Sequence, residues 1–310
     1  MNGSATSARV ADPYLQQITD RVHAYIQPDG GWCLNNAGIV IGDDQVLLVD
    51  TAATAARTFA LRDAIASLTD APVRTLVNTH HHGDHTHGNF VFADTARIIG
   101  HELCPDEIRA QGHMLEQLWP AVEWGEIKLT VPTETFESSA ALDIEGVDAR
   151  LVHIPAAHTT NDTVVWLPAQ RVLFSGDLIF SGGTPFVLMG SLSGSLAALG
   201  MLRAFDPLVI VPGHGPVTDA GAIDATEQYL TWLTRIAADA YARGRSPLEA
   251  AREADLSPFA HLHNPERLAG NLHRAYAEIG GAAPGAELDL GAAIFDIAGY
   301  GDGTMPECLA

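Results

Sequence analysis

The chain is organised around one histidine-rich stretch, Thr79-His80-His81-His82-Gly83-Asp84-His85-Thr86-His87-Gly88-Asn89. The apolar run directly before it, residues 75–78, has the pattern of a buried strand that ends in a loop. Loops at strand ends commonly carry chemistry, because the rigid sheet holds them in place. Two of the histidines, His81 and His87, we interpret as residues that orient their neighbours.

The other polar side chains of this stretch predict a metal site. Because side chains alternate along an extended backbone, His80 and His82 should point to the same side. Gly83 then allows a turn that brings Asp84 and His85 to a neighbouring position. Imidazole and carboxylate groups are common ligands of transition metals. The spacing therefore predicts ligands for two adjacent cations.

These residues resemble a known family. Residues 79–85 match the T-H-x-H-x-D-H signature of the metallo-β-lactamase superfamily, a large group of mostly hydrolytic metalloenzymes. Segments around His158, Asp177 and His214 resemble the remaining motifs of that family, in the family's order, so that the resemblance covers roughly residues 20–240. It implies an α/β fold, the four-layer αββα sandwich, in which two sheets pack face to face between helices.

The resemblance also implies a role for each ligand. The first metal would be bound by His80, His82 and His158, the second by Asp84, His85 and His214, with Asp177 bridging the two. Asp84 would in addition be the catalytic residue, which orients a water molecule and accepts or returns a proton.

Taken alone, each later motif has an ordinary structural interpretation. His153 and His158 both precede a predicted strand, and only the order of the motifs selects His158. Asp177 follows a Ser-Gly pair that is typical of a turn. His214 is more specific, because a glycine on each side would let the imidazole approach a charged centre closely.

Composition indicates a globular enzyme of ordinary type. The chain has 310 residues, of which 47% are hydrophobic, enough for a large core. It carries 38 acidic and 17 basic residues, a formal charge of -21. This excess argues against nucleic-acid partners, which need clustered Lys and Arg to neutralise phosphates.

The sequence also gives expectations about location. The three cysteines, Cys33, Cys104 and Cys308, form no disulfide framework and suit a reducing compartment. We see no secretory signal in residues 1–12 and no apolar run long enough for a membrane span, so we expect a cytoplasmic protein without a membrane partner. The oligomeric state stays open, with a homo-oligomer as one alternative.

Periodicity predicts the elements and the domain limits. We expect a loose arm at residues 1–13, one domain over 14–280, and a Gly/Ala-rich tail at 281–310. Apolar residues between positions 288 and 297 favour a tail that is docked on the body or on a neighbour. Further strands are predicted at 22–26, 37–41, 46–49, 97–100, 149–154, 163–167, 172–174 and 208–211, and helices at 52–68, 105–118, 195–205, 220–242, 246–254 and 265–280.

The predicted site suggests hydrolysis. Two divalent cations ~3.5–4 Å apart can lower the pKa of a shared water from ~15.7 towards ~7. Cleavage of an ester, thioester or amide is the simplest reaction, and the same centre could stabilise an enolate in an aldol closure. The imidazole-rich ligands favour two Zn²⁺ ions, although the carboxylates leave iron and manganese open. Asp177 points towards thioesterase-like members, because many true β-lactamases of the superfamily have Cys there.

A narrower resemblance comes from segments outside the metal motifs. Residues 30–38, 119–125, 183–186 and 271–275 look similar to the zinc-dependent cyclase-thioesterases of bacterial aromatic polyketide pathways. This resemblance implies an enzyme that closes a ring on a poly-β-keto chain by aldol condensation and releases it from an acyl carrier protein. The alternatives are a general thioesterase or lactonase with glyoxalase II-like chemistry on a small acyl substrate, and a metal-free scaffold.

Four aromatic residues near the motifs are candidates for a substrate pocket, although core packing explains any single one of them as well. They are Trp32, Trp119, Trp124 and Phe186. Arg274 and Lys128 are candidates to bind the phosphate of a carrier's phosphopantetheine, with solvated surface as the alternative.

Overall fold

Two β-sheets form the centre of the protein in a computed structural model, which describes residues 11–310. Most of the predicted arm, residues 1–10, lies outside the described range. The first sheet has seven strands, in the spatial order β1 (Tyr14–Gln17), β2 (Val22–Ile26), β3 (Ala37–Ile41), β4 (Val46–Val49), β5 (Val73–Val77), β6 (Arg97–His101) and β7 (Glu134–Phe136). Strands β1 to β4 pair antiparallel, and β4 to β7 pair parallel.

The second sheet has five strands. Its spatial order is β12 (Val209–His214), β11 (Val172–Phe180), β10 (Thr163–Leu167), β9 (Val147–His153) and β8 (Ser139–Ile144). Only β11 and β12 pair parallel within it. The helices are α1 (Ala55–Leu68), α2 (Gly83–Thr86), α3 (Cys104–Gln111), α4 (Met114–Leu118), α5 (Leu192–Ala204), α6 (Gly221–Ala242), α7 (Pro247–Glu253), α8 (Arg267–Ile279) and α9 (Leu290–Tyr300), with short 3-10 helices at His87–Val91 and Ser257–Phe259.

Three apolar clusters hold the layers together. Side chains from the inner faces of both sheets, such as Val40 and Phe174, form the central cluster. On the outer face of the first sheet, α1 packs through Leu61 and Ile65. On the outer face of the second sheet, α5, α6 and α8 pack through a larger cluster that includes Leu199. The predicted four-layer αββα sandwich with additional C-terminal helices is therefore confirmed.

Several helices begin or end at residues other than those predicted, because of capping residues and one glycine. Helix α1 begins at residue 55 rather than 52, because Thr54 Oγ1 accepts a hydrogen bond from Arg57 N (3.2 Å) and caps the helix. Helix α5 begins at residue 192, where Ser191 is the cap. The single helix predicted at 105–118 is wrong, because Gly112 adopts a φ of 54° and separates α3 from α4.

Strand β11 is longer than predicted and runs through Asp177 to Phe180. The Ser-Gly pair that suggested a turn is instead a register irregularity inside the strand, where Gly176 has a φ of 52°. Asp177 is therefore fixed by the sheet. The short strands β1, β7 and β8 were not predicted.

The C-terminal segment, residues 281–310, returns to the body of the protein. It contains α9, which packs on α7 and α8. The last residues reach the first half of the chain, where Trp119 Nε1 donates to Pro306 O (2.7 Å) and Arg57 donates to Leu309 O. All three cysteines are free thiols. None of the helices in residues 11–310 combines the length and the apolar character that crossing a membrane requires.

Candidate metal centre and substrate pocket

The seven predicted ligands meet at one edge of the two sheets. His80 and His82 follow β5, and Asp84 and His85 lie on α2 directly after them. From the second sheet come the remaining three: His158 in the loop after β9, Asp177 within β11 and His214 at the end of β12. Most of the ligands therefore lie at or just after strand ends, where the sheets hold them in position.

The first group of ligand atoms contains three imidazole nitrogens. His82 Nδ1 lies 3.0 Å from His80 Nε2 and 3.0 Å from His158 Nε2. All three side chains are largely or fully buried. Ligand nitrogens at ~2.0–2.1 Å from a tetrahedral zinc ion stand ~3.3 Å apart, so the observed spacing is close to that of a metal site.

Hydrogen bonds on the opposite ring nitrogens orient these imidazoles. His158 Nδ1 donates to Phe186 O (2.7 Å), and His80 Nδ1 lies 3.1 Å from Thr79 Oγ1, whose own hydrogen is donated to Asp50. Both rings thus carry their hydrogen on Nδ1 and turn the lone pair of Nε2 towards the cluster. Converging lone pairs repel one another and are stabilised by a cation between them.

The second group combines one carboxylate with two imidazoles. His214 Nε2 lies 3.3 Å from Asp84 Oδ2, and His85 Nε2 lies 3.8 Å from the same oxygen. Outer hydrogen bonds again fix the rings, since His214 Nδ1 donates to Gly31 O (3.1 Å) and His85 Nδ1 to Asp50 Oδ2 (2.8 Å). In each group the ligand atoms lie within 4.8 Å of one another.

Asp177 lies between the two groups. Its Oδ2 is 3.3 Å from His158 Nε2 in the first group and 3.5 Å from His214 Nε2 in the second, and its Oδ1 is 3.2 Å from His85 Nε2. A carboxylate in this position can contact ions in both groups. The structure thus brings together all seven residues that the sequence singled out.

Charge and burial act differently on the two groups. Burial, together with the neighbouring histidines, holds the pKa of His80 and His82 well below the usual value. Burial has the same tendency at His85 and His214, but the carboxylates of Asp177 and Asp84 outweigh it and raise the pKa of both rings. The same pairs lower the pKa of Asp84 and Asp177 against the opposing effect of burial.

Unpartnered buried atoms test whether a metal fits. His85 Nε2 and Asp177 Oδ1 are both buried, and although they lie 3.2 Å apart, neither makes a hydrogen bond of acceptable geometry among the described residues. Buried polar atoms without partners are uncommon in proteins and call for an explanation, such as an ion. A set of imidazole nitrogens and carboxylate oxygens suits divalent transition metals. The residues therefore fit a metal centre.

Asp50 is an important residue of the site that sequence reasoning missed. Its carboxylate binds His85 Nδ1 and also accepts hydrogen bonds from Thr79 N (2.7 Å) and Thr79 Oγ1 (2.6 Å). It adopts a φ of 61°, which is uncommon outside glycine and is found at functional sites. Asp50 directly follows the buried strand β4, a position that is typical of functional residues but does not reveal the contact with His85.

Close packing explains the glycines of the motifs. A Cβ on Gly213 would collide with Asp177 Oδ1, so this glycine lets β12 bring His214 to the bridging carboxylate, as the sequence suggested. The expected role of Gly83 needs correction: a Cβ at Gly83 would collide with the ring of His87, so space for that ring requires the glycine. The backbone changes direction at Gly83 because α2 begins at this residue.

The two histidines interpreted as orienting residues are both buried outside the two ligand groups. His81 Nδ1 accepts a hydrogen bond from Asn161 Nδ2 (2.9 Å), and burial lowers the pKa of His81 to about 3. His87 packs beneath Gly83 and near Trp124. Neither contributes an atom to the ligand groups.

A cavity of about 720 Å³, including the space at its mouth, opens beside the ligands. Its lining includes His82, Asp84, His158, Asp177 and His214 on the metal side. Three predicted pocket residues also line it: Trp32, Trp119 and Phe186. The Trp32 ring packs against both others, at centroid distances of 5.5 Å to Trp119 and 5.4 Å to Phe186.

Three other candidates lie elsewhere. Trp124 is outside the cavity lining, because it packs behind Trp119 and donates its indole N–H to Trp119 O (3.0 Å). Arg274 is buried and donates to Leu188 O (3.0 Å) and Ala286 O (2.8 Å), so its role is to fix backbone rather than to meet a carrier at the surface. Lys128 lies in an exposed loop away from the pocket.

Two paired ligand groups at the edge of an αββα sandwich define a class of metallohydrolase. The chain belongs to the metallo-beta-lactamase superfamily, whose sequence model matches residues 30–214. Members of this superfamily are metal-dependent hydrolases, and the matched range contains all seven candidate ligands.

Individual relatives are more distant. The metallo-beta-lactamase type 2 of Bacteroides fragilis is 25% identical over 72% of this chain and 87% of its own length. A hydroxyacylglutathione hydrolase of Synechococcus is 27% identical over 46% of this chain and 48% of its own length. The chain spans about half the length of several other curated relatives. A solved metallo-beta-lactamase from Pontibacter korlensis has a TM-score of 0.58 at 23% identity, covers 71% of this chain and 99% of its own, and supports the fold alone.

Proposed function

We propose that this protein is a dinuclear zinc enzyme that hydrolyses a thioester or ester of a flat, largely apolar acyl group. One observation carries the proposal: two ligand groups joined by Asp177 open directly onto a cavity with apolar and aromatic walls. Zinc ions bound there would polarise the acyl carbonyl and make hydroxide available near neutral pH.

Residues of the chain would supply the remaining steps. Asp84 is 8% exposed and lines the cavity, so its carboxylate can orient a water molecule and accept or return a proton. Trp32 and Phe186, packed edge to face, offer an aromatic surface against which a flat acyl group can stack. The buried position of the ligands excludes bulk water, which strengthens the electrostatic effects on the reacting carbonyl.

A narrower candidate is the cyclisation of a poly-β-keto chain by aldol condensation, followed by release from its acyl carrier by thioester hydrolysis. The observation that favours it is the aromatic wall of the cavity, where three of the four predicted aromatic residues meet. A folded poly-β-keto chain and its ring-closed product are flat and partly aromatic, which suits such a wall.

The alternative is a general thioesterase or lactonase that acts on a small acyl substrate with glyoxalase II-like chemistry. Similarity to a hydroxyacylglutathione hydrolase supports this alternative. The apolar and aromatic lining of the cavity favours a flat, apolar acyl group instead. A metal-free scaffold is the least favoured reading, because buried ligand sets with unpartnered atoms are costly for a protein that binds no ion.

The test compares two substrates with and without a chelator. The zinc-loaded protein is incubated with a poly-β-keto thioester surrogate and with a simple aromatic acyl thioester, and the products are identified by mass spectrometry. Chelator-sensitive release of free acid from either substrate supports the hydrolase, and a dehydrated ring product supports the cyclase. Absence of both products with fully metal-loaded protein would refute the proposal.

Several features remain predictions attached to this proposal. They are the identity of the native metal, for which iron and manganese are the alternatives to zinc, a carrier protein as partner, a homo-oligomeric state and a cytoplasmic location. Metal analysis of protein expressed in medium with all three metals supplied addresses the first of them.

A further inference from the structure

Helix α8 brings a buried arginine to the wall of the substrate cavity. Arg267 is the first residue of this helix and is 2% exposed. Its guanidinium carbon lies 4.6 Å from the ring centroid of Trp32 and 4.7 Å from that of Phe180. All three residues line the cavity. The cation is thus held between two aromatic faces beside the metal ligands.

The hydrogen bonding of this guanidinium is incomplete. Nη1 donates to Thr184 O (3.0 Å), whereas Nε is buried without a partner. No carboxylate within residues 11–310 forms an ion pair with Arg267. A guanidinium has five N–H donors, and a buried cation without a paired anion is costly. An anionic group of a ligand would offset that cost.

A second buried arginine on the same helix, which lies outside the main cavity, serves as a comparison. Arg274 lies seven residues further along and is 1% exposed. Its Nε and Nη2 both donate to backbone carbonyls, whereas its Nη1 is buried without a partner among the described residues. It lines a separate pocket and not the main cavity. Arg267 differs because it lines the main cavity and its side chain makes a single hydrogen bond within the described chain.

We propose that Arg267 determines substrate specificity by binding a delocalised oxygen anion on the acyl group of the substrate. A carboxylate and the enolate of a 1,3-dicarbonyl share this chemistry, because each presents two oxygens in a plane to the planar guanidinium. The rest of the substrate would fill the apolar cavity. The inference deepens the proposed hydrolase function and rests on it.

The experiment uses three sets of naphthoyl thioesters that differ only in one ring substituent. The substituent is a carboxylate, a 1,3-dicarbonyl or a methyl group, each at several ring positions. For the zinc-loaded full-length protein we expect kcat/KM to be higher for the best oxygen-bearing compound than for the matching methyl compound. The carboxylate and dicarbonyl sets distinguish between the two sources of the anion.

Two variants of α8 then test the residue. Arg267→Met keeps an apolar side chain between Trp32 and Phe180, and should lower the preference for the oxygen-bearing compound by about 10- to 100-fold, mainly through KM. Arg267→Lys should restore part of the preference, because it keeps the charge without the planar fork. Arg274→Met is the matched control: it should lower thermal stability and leave the preference unchanged.

Failure of this inference is separable from failure of the proposed function. The corresponding naphthyl ketones, which cannot be hydrolysed, are titrated calorimetrically into wild-type protein and into Arg267→Met. If the wild type binds the oxygen-bearing ketone more tightly than the methyl ketone, and Arg267→Met loses this difference, the role of Arg267 is supported even if no thioester is cleaved. Equal binding of oxygen-bearing and methyl ketones by the wild type would overturn it, whether or not the variant folds.

Discussion

The part of the chain up to residue 214 and the part after it contribute different things to the same cavity. The first part holds all seven candidate ligands, and hydrogen bonds to Asp50 or to backbone carbonyls fix three of their imidazoles, those of His85, His158 and His214. The second part holds none of them, yet it forms one wall of the cavity. The residues of this wall are Arg267, Leu290, Ile294, Ile297 and Met305. We therefore expect changes in the second part to alter substrate selection without altering metal binding, and changes at the ligands to alter turnover or metal binding directly.

The largest expected effect comes from the first part. Asp84→Asn keeps the shape of the side chain but removes its ability to accept a proton, so we expect kcat to fall by about 10²- to 10⁴-fold. Turnover of an aromatic acyl thioester, measured together with zinc content and circular dichroism, checks the prediction. Asp63→Asn, an exposed aspartate on α1, is the control and should be neutral. Undiminished turnover in the Asp84 variant would show that another group moves the proton.

The metal centre could be predicted from the sequence because its ligands come in short motifs. His80, His82, Asp84 and His85 lie within six residues, so local spacing alone brings them together. His158, Asp177 and His214 needed the order of the family's motifs, since each is ambiguous alone. Asp50 was missed, because its role depends on a contact across 35 residues of sequence that no local pattern encodes.

A smaller effect is expected from the residue that orients His85. Asp50→Asn removes the negative charge that accepts hydrogen bonds from His85 Nδ1 and Thr79 N. Residues that hydrogen-bond to metal ligands in this way contribute about 10- to 100-fold to metal affinity or activity. Because Asp50 contacts His85 directly and reaches His80 only through Thr79, the larger loss should fall on the second metal equivalent. Competition with a chelating dye, which resolves two binding steps, measures it. A loss confined to the first equivalent would contradict the assignment of His85.

The cavity could be predicted only in part. Trp32, Trp119 and Phe186 were found because they flank motifs, but Trp124 flanks one as well and packs behind the wall. Arg267 and α9 were not proposed as pocket residues, because nothing in their local sequence refers to the metal site. Their position follows from the packing of α8 against α5, α6 and α7, and of α9 against α7 and α8, which the local sequence of neither helix reveals.

A modest effect on selectivity is expected from the second part. Ile294→Ala enlarges the cavity wall on α9 without touching a ligand, so longer acyl groups should gain and shorter ones lose, by about 10-fold at most. The ratio of kcat/KM for two acyl thioesters of different length measures the change. Phe295→Ala changes the adjacent residue, which is 75% exposed, and should leave the ratio as it is. A fall in zinc content in Ile294→Ala would argue against separable parts.

The smallest effect is a difference in proton release between the two metals. At pH 7 the lowered pKa of His80 and His82 leaves these rings neutral, so the first metal should displace no proton from them. The raised pKa of His85 and His214 favours the doubly protonated form of these rings in the metal-free protein, and the second metal must displace any such proton. Calorimetric zinc titrations in buffers of different ionisation enthalpy should therefore show about one to two protons released with the second equivalent. The number should fall as the pH rises through the raised pKa values, because the rings then lose their protons before metal binds. Equal release with both equivalents at every pH would mean that the carboxylates of Asp84 and Asp177 do not distinguish the two groups.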